Sequence, residues 1–502
     1  MQMKLKELFK KIPGCQIKNS FDPVITGITS NSKLVMPGNL FIAKKGKTHD
    51  GDKYICEAVS QGAAAVVTDL FNPLLKQPVQ IVHANPGQIE AEIAAKFYHH
   101  PSDSLLTIGV TGTNGKTTTT ILIKSLLDLI DGETGLIGTI EYCIGAQRLP
   151  ASHTTPDPAT NQRLLREMVN HGCLSVVMEV SSHALAQKRV AFIDYDIAIF
   201  TQLTSEHLDY HQTMENYFEA KRELFSQLSA AGSKKKREKW AIINQDCSWS
   251  EKIVKDCKAK IFTYAIEQTA DLKAFNLQLS DTGTAFDLLY QNEQINCQTP
   301  FVGRFNIYNT LAAMAALLTQ GHPLKLIVNE IKKINLIKGR LEKVKNALDL
   351  KIYVDYAHTE DALKNVLATL SEVKKGKIIT VFGCGGDRDP FKRVKMGEIS
   401  QIYSDITFIT SDNPRSEDPY QICQEVAKGF SGQQTFIIEP DRYQAIKQAI
   451  LQAKEEDMII IAGKGHETYQ LFNKKRIEFD DSLVAQEICL EIATAKRSLC
   501  DA

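Results

Sequence analysis

Short apolar runs bounded by polar turns recur along the chain and alternate with segments of helical periodicity. MQMKLKELFKKI at the start has the spacing of an amphipathic helix, and EAVSQGAAAVVTDL (57–70) reads as a helix followed by a strand. From LLTIGV (105–110) the alternation becomes regular. LSVVMEV ends a strand at Glu179, YDIAIFTQL (195–203) reads as another strand, and FNIYNTLAAMAALLTQG (305–321) is helical. After KIYVDYAH (351–358) the pattern predicts a helix over 360–373, strands at KIITVFG (377–383) and DITFITS (405–411), a helix over 420–429 and a strand at DMIIIAG (457–463). Runs such as MIIIA suit strands buried on both faces, so parallel α/β sheets are expected in the last two thirds of the chain. The polar turn HHPSD (99–103) and the region of Gly339 are natural breaks, dividing the chain into 1–100, 101–338 and 339–502.

Composition fits that picture. A chain of 502 residues is too long for one core, and 43% hydrophobic with 24% charged residues is ordinary for a globular protein. The net charge is zero, which carries no footprint of nucleic acid or an anionic membrane. The basic run SKKKREK (233–239) reads as a solvated loop. No apolar stretch approaches the roughly 20 residues that span a bilayer, and the N-terminal segment lacks the apolar core of a secretory signal. Eleven cysteines without CxxC spacing point to reduced thiols and a cytoplasmic setting, with a monomer as the default state.

The first chemical signal is LLTIGVTGTNGKTTTT (105–120), a strand, a glycine turn and a helix. Gly112, Thr113, Asn114, Gly115, Lys116, Thr117 and Thr118 form a shortened phosphate loop, with Val110 standing where the longer pattern has its first glycine. Backbone N–H groups at the helix start make an anion site, Lys116 adds a mobile positive charge, and the Thr117 hydroxyl sits where a Mg²⁺ ligand is expected.

Glu179, at the C-terminal end of a strand in the same sheet, is placed to meet that metal. Ser181, Ser182 and His183 follow it, and TSEHLDYH (204–211) gathers His207, Asp209 and His211. Mg²⁺ prefers oxygen, so a histidine ligand is a departure from the usual donor set. Lys221 lies on a helical stretch and its spacing marks nothing. In the last third, TSDNPRSEDP (410–419) sets Asp412, Asn413 and Arg415 around Pro414, a stiff turn carrying both signs of charge that suits a small zwitterion.

TGTNGKTT, HTTPDP (153–158), MEVSSHAL, HLDYH, AKRELF, GRFNIYN (303–309), VDYAH, GCGGDRDP (383–390), DNPR and GKGHE (463–467) occur in the order found in the Mur ligase family, which the chain resembles almost throughout. The resemblance implies a three-domain α/β fold: a small α/β N-terminal domain, a central P-loop ATPase-type domain with a parallel sheet, and a C-terminal Rossmann-like domain. It implies ATP and Mg²⁺ as cofactors and small molecules as partners. The reaction expected is ATP-dependent addition of meso-diaminopimelate to the D-glutamate γ-carboxylate of UDP-N-acetylmuramoyl-L-alanyl-D-glutamate, in the cytoplasm, during peptidoglycan synthesis. Carried over residue by residue, it assigns Ser30, Ser32, Lys47, Thr48 and His49 to the UDP part, and Thr154, Thr155, Ser181, Gln187 and Arg189 to the muramoyl peptide. Thr117, Glu179, His207 and a carbamylated Lys221 would surround Mg²⁺; Asn306, Asn309, Arg340, Asp355 and His358 would lie near the nucleotide and hinge.

The same resemblance answers what the charged turn is for. Arg388 and Arg415 would pair the distal carboxylate of diaminopimelate, Asp412 and Glu467 its ammonium, with Asn413 and the Gly463 carbonyl assisting. Lysine lacks that carboxylate and would leave arginine unpaired. The chain departs from the family pattern at Asn31-Ser32-Lys33, at Gln202 and Glu206, and at Glu360. The rival readings are an L-lysine-adding or other Mur-type ligase, a folylpolyglutamate synthase, and a nucleotide-switched binding protein.

Overall fold

The computed structural model describes residues 1–46, 50–228, 237–432, 436–473 and 475–500, the last four as backbone. The expected uridine-side residues Lys47, Thr48 and His49, and residues 233–236 of the basic run, lie outside the described residues. Three sheets organise a three-domain α/β fold. The first has five strands, in the order Gln16–Ile17, Val79–Val82, Ala65–Thr68, Leu40–Ile42, Ile28–Thr29. The N-terminal helix is one short turn-and-a-half, Leu5–Phe9, because Met3–Lys4 pairs as a strand with Val24–Ile25.

The central sheet has eleven strands. Its parallel middle contains Thr134–Ile137, Ser175–Glu179, Leu106–Thr111, Ile197–Phe200, Trp240–Asn244 and Lys260–Ala265 as successive neighbours. The strand before the phosphate loop therefore lies between the one ending at Glu179 and the one leading to His207. Antiparallel strands extend both edges. Alternating apolar runs predict parallel strands only, but residues 272–299 fold into consecutive hairpins. The turn at Gln291 and Asn292, both with positive φ, matches the twist of adjacent antiparallel strands and permits the reversal.

Helix Lys116–Ile130 buries Leu122, Ile123, Leu126 and Leu127 at helical spacing against this sheet. Helix Arg304–Leu318 packs beside it and is buried on nearly every face, which its Ala-rich run AAMAALL permits by leaving little side chain to exclude neighbours. The third sheet has six strands, ordered Glu342–Lys343, Lys351–Asp355, Met458–Ala462, Ile378–Phe382, Ile406–Ile409, Phe436–Ile438, and all but the first pair in parallel. Helix Glu360–Val373 begins where Thr359 caps the Ala362 N–H. Among the described residues no helix is long and apolar enough to cross a membrane.

Candidate active site

The phosphate loop is held open by its neighbours. Gly112 has φ of +150°, and a Cβ there would lie 1.8 Å from Thr201 Oγ1; at Gly115, φ +87°, it would lie 2.4 Å from Asn309 Oδ1. Side chains at either position would collide, so glycine is required by close approach as well as by backbone angle. The Thr113 N–H donates to the Gln202 carbonyl at 2.8 Å, and Thr201 Oγ1 donates to the Asn114 carbonyl at 2.6 Å. Lys116 Nζ curls back onto the carbonyls of Gly112 and Thr113, at 2.9 and 2.8 Å. The loop, with Thr117 and Thr118, lines a cavity of about 540 Å³ that also touches Glu179, His207, Asn309, Arg340, Asp355 and His358.

Glu179 is buried and lies across from the loop. Its Oε2 accepts from Thr117 Oγ1 at 3.0 Å and from Thr139 Oγ1 at 3.0 Å, and its Oε1 accepts from the Thr139 N–H at 2.7 Å. Arg340, from the far side of the cavity, donates to Thr117 Oγ1 at 2.9 Å. A threonine hydroxyl and a carboxylate converging at a phosphate loop are the hard oxygen donors Mg²⁺ prefers, so this pair fits the ion. Among the described residues no group of three His, Cys, Asp or Glu side chains stands at metal-holding separation. His207 is exposed at the cavity wall with φ +57°, its Nε2 3.6 Å from Glu206 Oε2. Burial acts to raise the Glu206 carboxyl, but His207, Lys116, His358 and Lys221 together hold it below its ordinary value.

Lys221 is buried, and its Nζ donates to the Gly112 carbonyl at 2.8 Å. Burial, reinforced by the Lys116 charge, pushes its amine well below the ordinary lysine range. His183, His207, Tyr210 and His211 form a ring cluster around His183, with centroids 4.7, 4.2 and 5.5 Å from it for His207, Tyr210 and His211. Burial in that cluster pushes His183 down to about 4.

The residues expected to face the muramoyl peptide assemble next to Glu179. Thr154 Oγ1 lies 3.0 Å from Thr139 Oγ1, and Thr155 Oγ1 donates to the Glu179 carbonyl at 2.7 Å. Arg189 donates from Nη1 to the Thr155 carbonyl at 3.0 Å and from Nη2 to Gln187 Oε1 at 2.7 Å; Ser181 caps the Ala184 N–H. In the first domain Ser32 is buried, and Ser30 neighbours Glu90, a fully buried acid paired with Lys44 Nζ at 2.5 Å.

Asn309 is the cavity-facing member of its pair, and Asn306 stands behind it: Asn309 Nδ2 donates to Asn306 Oδ1 at 3.1 Å, and Asn306 Nδ2 to the Val302 carbonyl at 2.9 Å. Asp355 accepts from the N–H groups of Leu341 and Ala357, at 2.6 and 2.8 Å, which ties the segment after Gly339 to the strand Lys351–Asp355. Burial raises the Asp355 carboxyl and lowers His358.

In the third domain the charged turn meets two other strand ends. Asn413 Nδ2 donates to Glu467 Oε2 at 2.8 Å, and the Asn413 N–H donates to Asp412 Oδ1 at 2.7 Å. Arg415, with φ +55°, donates from Nη1 to the Gly386 carbonyl at 2.7 Å. A Cβ on Gly385 would lie 2.8 Å from Arg415 Nη1 and 3.8 Å from Arg388 Cγ, so both arginines flank that glycine. A Cβ on Gly463 would lie 2.8 Å from Asp412 Oδ2, and one on Gly386 would strike the Pro414 carbonyl.

Three groups that hold expected site residues in place escape sequence reasoning. Thr139 holds both oxygens of Glu179. Asp361 Oδ2 accepts from Asn114 Nδ2 at 2.6 Å and Thr204 Oγ1 at 2.9 Å, joining the third domain to the phosphate loop. Lys464, fully buried, pairs with Glu467 Oε2 at 3.2 Å. Asp361 was the most accessible to inference, three positions beyond VDYAH.

Family models match in the order of the three sheets: Mur ligase family, catalytic domain over residues 24–98, Mur ligase middle domain over 110–317, and Mur ligase, glutamate ligase domain over 339–465. A Chlamydia caviae protein named UDP-N-acetylmuramoyl-L-alanyl-D-glutamate–2,6-diaminopimelate ligase is 42% identical over 490 residues, covering 97% of this chain and 99% of the relative. A Geobacillus kaustophilus protein of the same name is 42% identical over 485 residues, covering 96% and 99%. A solved structure of an enzyme of that name superposes with a TM-score of 0.68 at 32% identity, covering 98% of this chain and 99% of the other.

Proposed function

The chain belongs to the Mur ligase family, and from that membership we propose that it joins meso-diaminopimelate to the D-glutamate γ-carboxylate of UDP-N-acetylmuramoyl-L-alanyl-D-glutamate, using ATP and Mg²⁺. Residues 1–100 take the uridine end, 101–338 the ATP and muramoyl peptide, and 339–502 the incoming amino acid. The product is a peptidoglycan precursor, made by a monomer in the cytoplasm with no nucleic-acid partner.

A carboxylate does not condense with an amine in neutral water because its leaving group is poor. Transfer of the ATP γ-phosphoryl group to a carboxylate oxygen gives an acyl phosphate and ADP. The amine then attacks the acyl carbon, a C–N bond forms, the amine proton is released, and inorganic phosphate departs with the C–O bond. The protein's share is positioning and charge stabilisation. Lys116 exchanges the Gly112 and Thr113 carbonyls for phosphate oxygens when nucleotide arrives. Mg²⁺, when bound, screens the phosphate charge so that two anions can approach. Thr117 and Glu179 would hold it, with His207 and a carbamate on Lys221 as the further ligands the family resemblance implies. Arg189, Thr154, Thr155, Ser181 and Gln187 seat the muramoyl peptide beside Glu179.

The observation that carries the choice of amine is the meeting of opposite charges in the third domain. Arg415 beside Gly386 and Arg388 on the same glycine turn receive a distal carboxylate, while Asp412, Glu467 and the Gly463 carbonyl receive the ammonium beside it. The test is phosphate release by purified protein with ATP, Mg²⁺ and the UDP-muramoyl dipeptide. Diaminopimelate supports turnover and L-lysine barely does; equal rates would refute this reading of Arg415.

A further inference from the structure

Arg442 belongs to none of the family motifs, yet it is fully buried and its guanidinium makes four hydrogen bonds. Nε and Nη2 form a two-pronged pair with Asp481, at 2.7 Å to each carboxylate oxygen, and neither side chain has any exposed surface. Two further donations go to backbone. Nη1 donates to the Ser411 carbonyl at 3.2 Å and Nη2 to the Ala462 carbonyl at 3.0 Å. Ser411 immediately precedes Asp412, and Ala462 immediately precedes Gly463.

The Ala462 carbonyl ends one strand and the Ser411 carbonyl lies two residues past another, and these strands are not neighbours. Met458–Ala462 and Ile406–Ile409 lie on opposite sides of Ile378–Phe382, so their backbones are roughly 9–10 Å apart in the sheet. No ladder hydrogen bond can join them. Beyond the strand ends, the arms carrying Asp412, Asn413 and Arg415 on one side and Gly463 and Glu467 on the other are joined through this guanidinium. Asn413 Nδ2, donating to Glu467 Oε2 at 2.8 Å, and Gln470 Nε2, donating to the Asp412 carbonyl at 2.9 Å, also tie the same two arms. Asp481 opens helix Asp481–Cys500, where a carboxylate is favoured, and Arg442 opens helix Arg442–Gln452, so both partners are anchored by regular structure. A buried pair costs more in desolvation than an apolar pair of similar volume, so stability alone does not account for it.

We propose that Arg442, oriented by Asp481, is a positioning residue for the amino-acid acceptor: it sets the separation between the two arms of the pocket. This deepens the third-domain reading above and rests on it for the identity of the ligand. A lysine at 442 keeps the charge but lacks the planar fork that reaches both carbonyls. The double substitution R442M with D481L removes both charges together, which leaves no unpaired ion and preserves folding.

The test compares the full-length wild type, Arg442→Lys and the double variant. The KM for diaminopimelate rises by about tenfold or more in both variants, while the KM values for ATP and the UDP-muramoyl dipeptide stay within about twofold. Amide hydrogen exchange accelerates in both 411–415 and 462–467, and the strand Ile378–Phe382 stays protected. Equal rises in all three KM values would reduce Arg442 to general stability and overturn the proposal. Unchanged exchange, or faster exchange in one arm only, would also overturn it. If the wild type released no phosphate with diaminopimelate, the acceptor assignment would fall, and exchange in the two arms would still decide the brace.

Discussion

The buried amine of Lys221 donates to the carbonyl oxygen of Gly112, at 2.8 Å, so a helix of the central domain touches the underside of the phosphate loop. Its position deprives the cation of water and places it beside Lys116, and both effects favour the neutral amine. A neutral amine is the form that adds carbon dioxide to become an anionic carbamate. Lys221→Ala is therefore expected to lose activity by about 100-fold or more, with partial recovery on adding short carboxylates. Phosphate release by wild type and variant, with and without acetate, checks this; full activity in the variant would remove Lys221 from the mechanism.

Thr117 and Glu179 share a hydrogen bond at the cavity wall. Glu179→Gln keeps the size of the side chain but loses its charge and its affinity for a hard cation. A fall in kcat of about 100-fold is expected, together with a higher Mg²⁺ concentration for half-maximal rate. A Mg²⁺ titration of initial rates measures both.

Arg415 tests specificity. Arg415→Met deletes the fork proposed to pair the distal carboxylate, so kcat/KM for diaminopimelate is expected to fall by about 10³-fold while the slow rate with lysine changes by no more than a few fold. A parallel fall for both amines would assign Arg415 to the turn rather than to the substrate.

Asp361 links Asn114 and Thr204 to the third domain through one carboxylate oxygen. Removing it in Asp361→Ala leaves the Asn114 amide without that acceptor. The KM for ATP is expected to rise about fivefold, equivalent to about 1 kcal/mol, the size of one lost hydrogen bond. Initial rates against ATP at saturating acceptor measure it, and an unchanged KM would sever Asp361 from nucleotide binding.

His466 gives a pH signature. Burial, then the nearby Arg340 and Lys338, lower it from 6.5 to about 4, and its Nδ1 is buried without a hydrogen-bond partner. The fold holds the ring neutral. As pH falls below the unfolded value, the unfolded chain takes up a proton that the folded chain does not, so stability declines between about 6.5 and about 4. Between about pH 7.5 and about pH 5, wild type is expected to lose about 2 kcal/mol more than His466→Gln. Urea unfolding at the two pH values checks it; identical losses would show that the ring titrates normally.

Local chemistry made the phosphate loop legible: glycine where backbone must crowd backbone, then Lys116 and Thr117 at a helix start. The same holds for Glu179, because a strand end in that sheet can face only the loop. The charged turn at 410–419 stood out because Pro414 stiffens it and both signs of charge flank it, and the structure brings Asn413 of that turn to Glu467. The hairpins of residues 272–299 were hidden, since alternation alone does not say which way a chain reverses, and turn residues Gln291 and Asn292 decided it. Lys221 was invisible for another reason. Its spacing suits a helix surface, and only packing against a loop 109 positions earlier in the chain buries it. Arg442 and Asp481, 39 positions apart, are likewise two unremarked charges until two helix starts meet beneath a sheet. Sequence determines what is encoded within a few residues: elements, caps, glycine turns and the chemical types at strand ends. Tertiary structure alone decides which distant groups lose water together, and desolvation, not spacing, is what sets the buried Lys221 and Arg442 apart from an ordinary lysine or arginine.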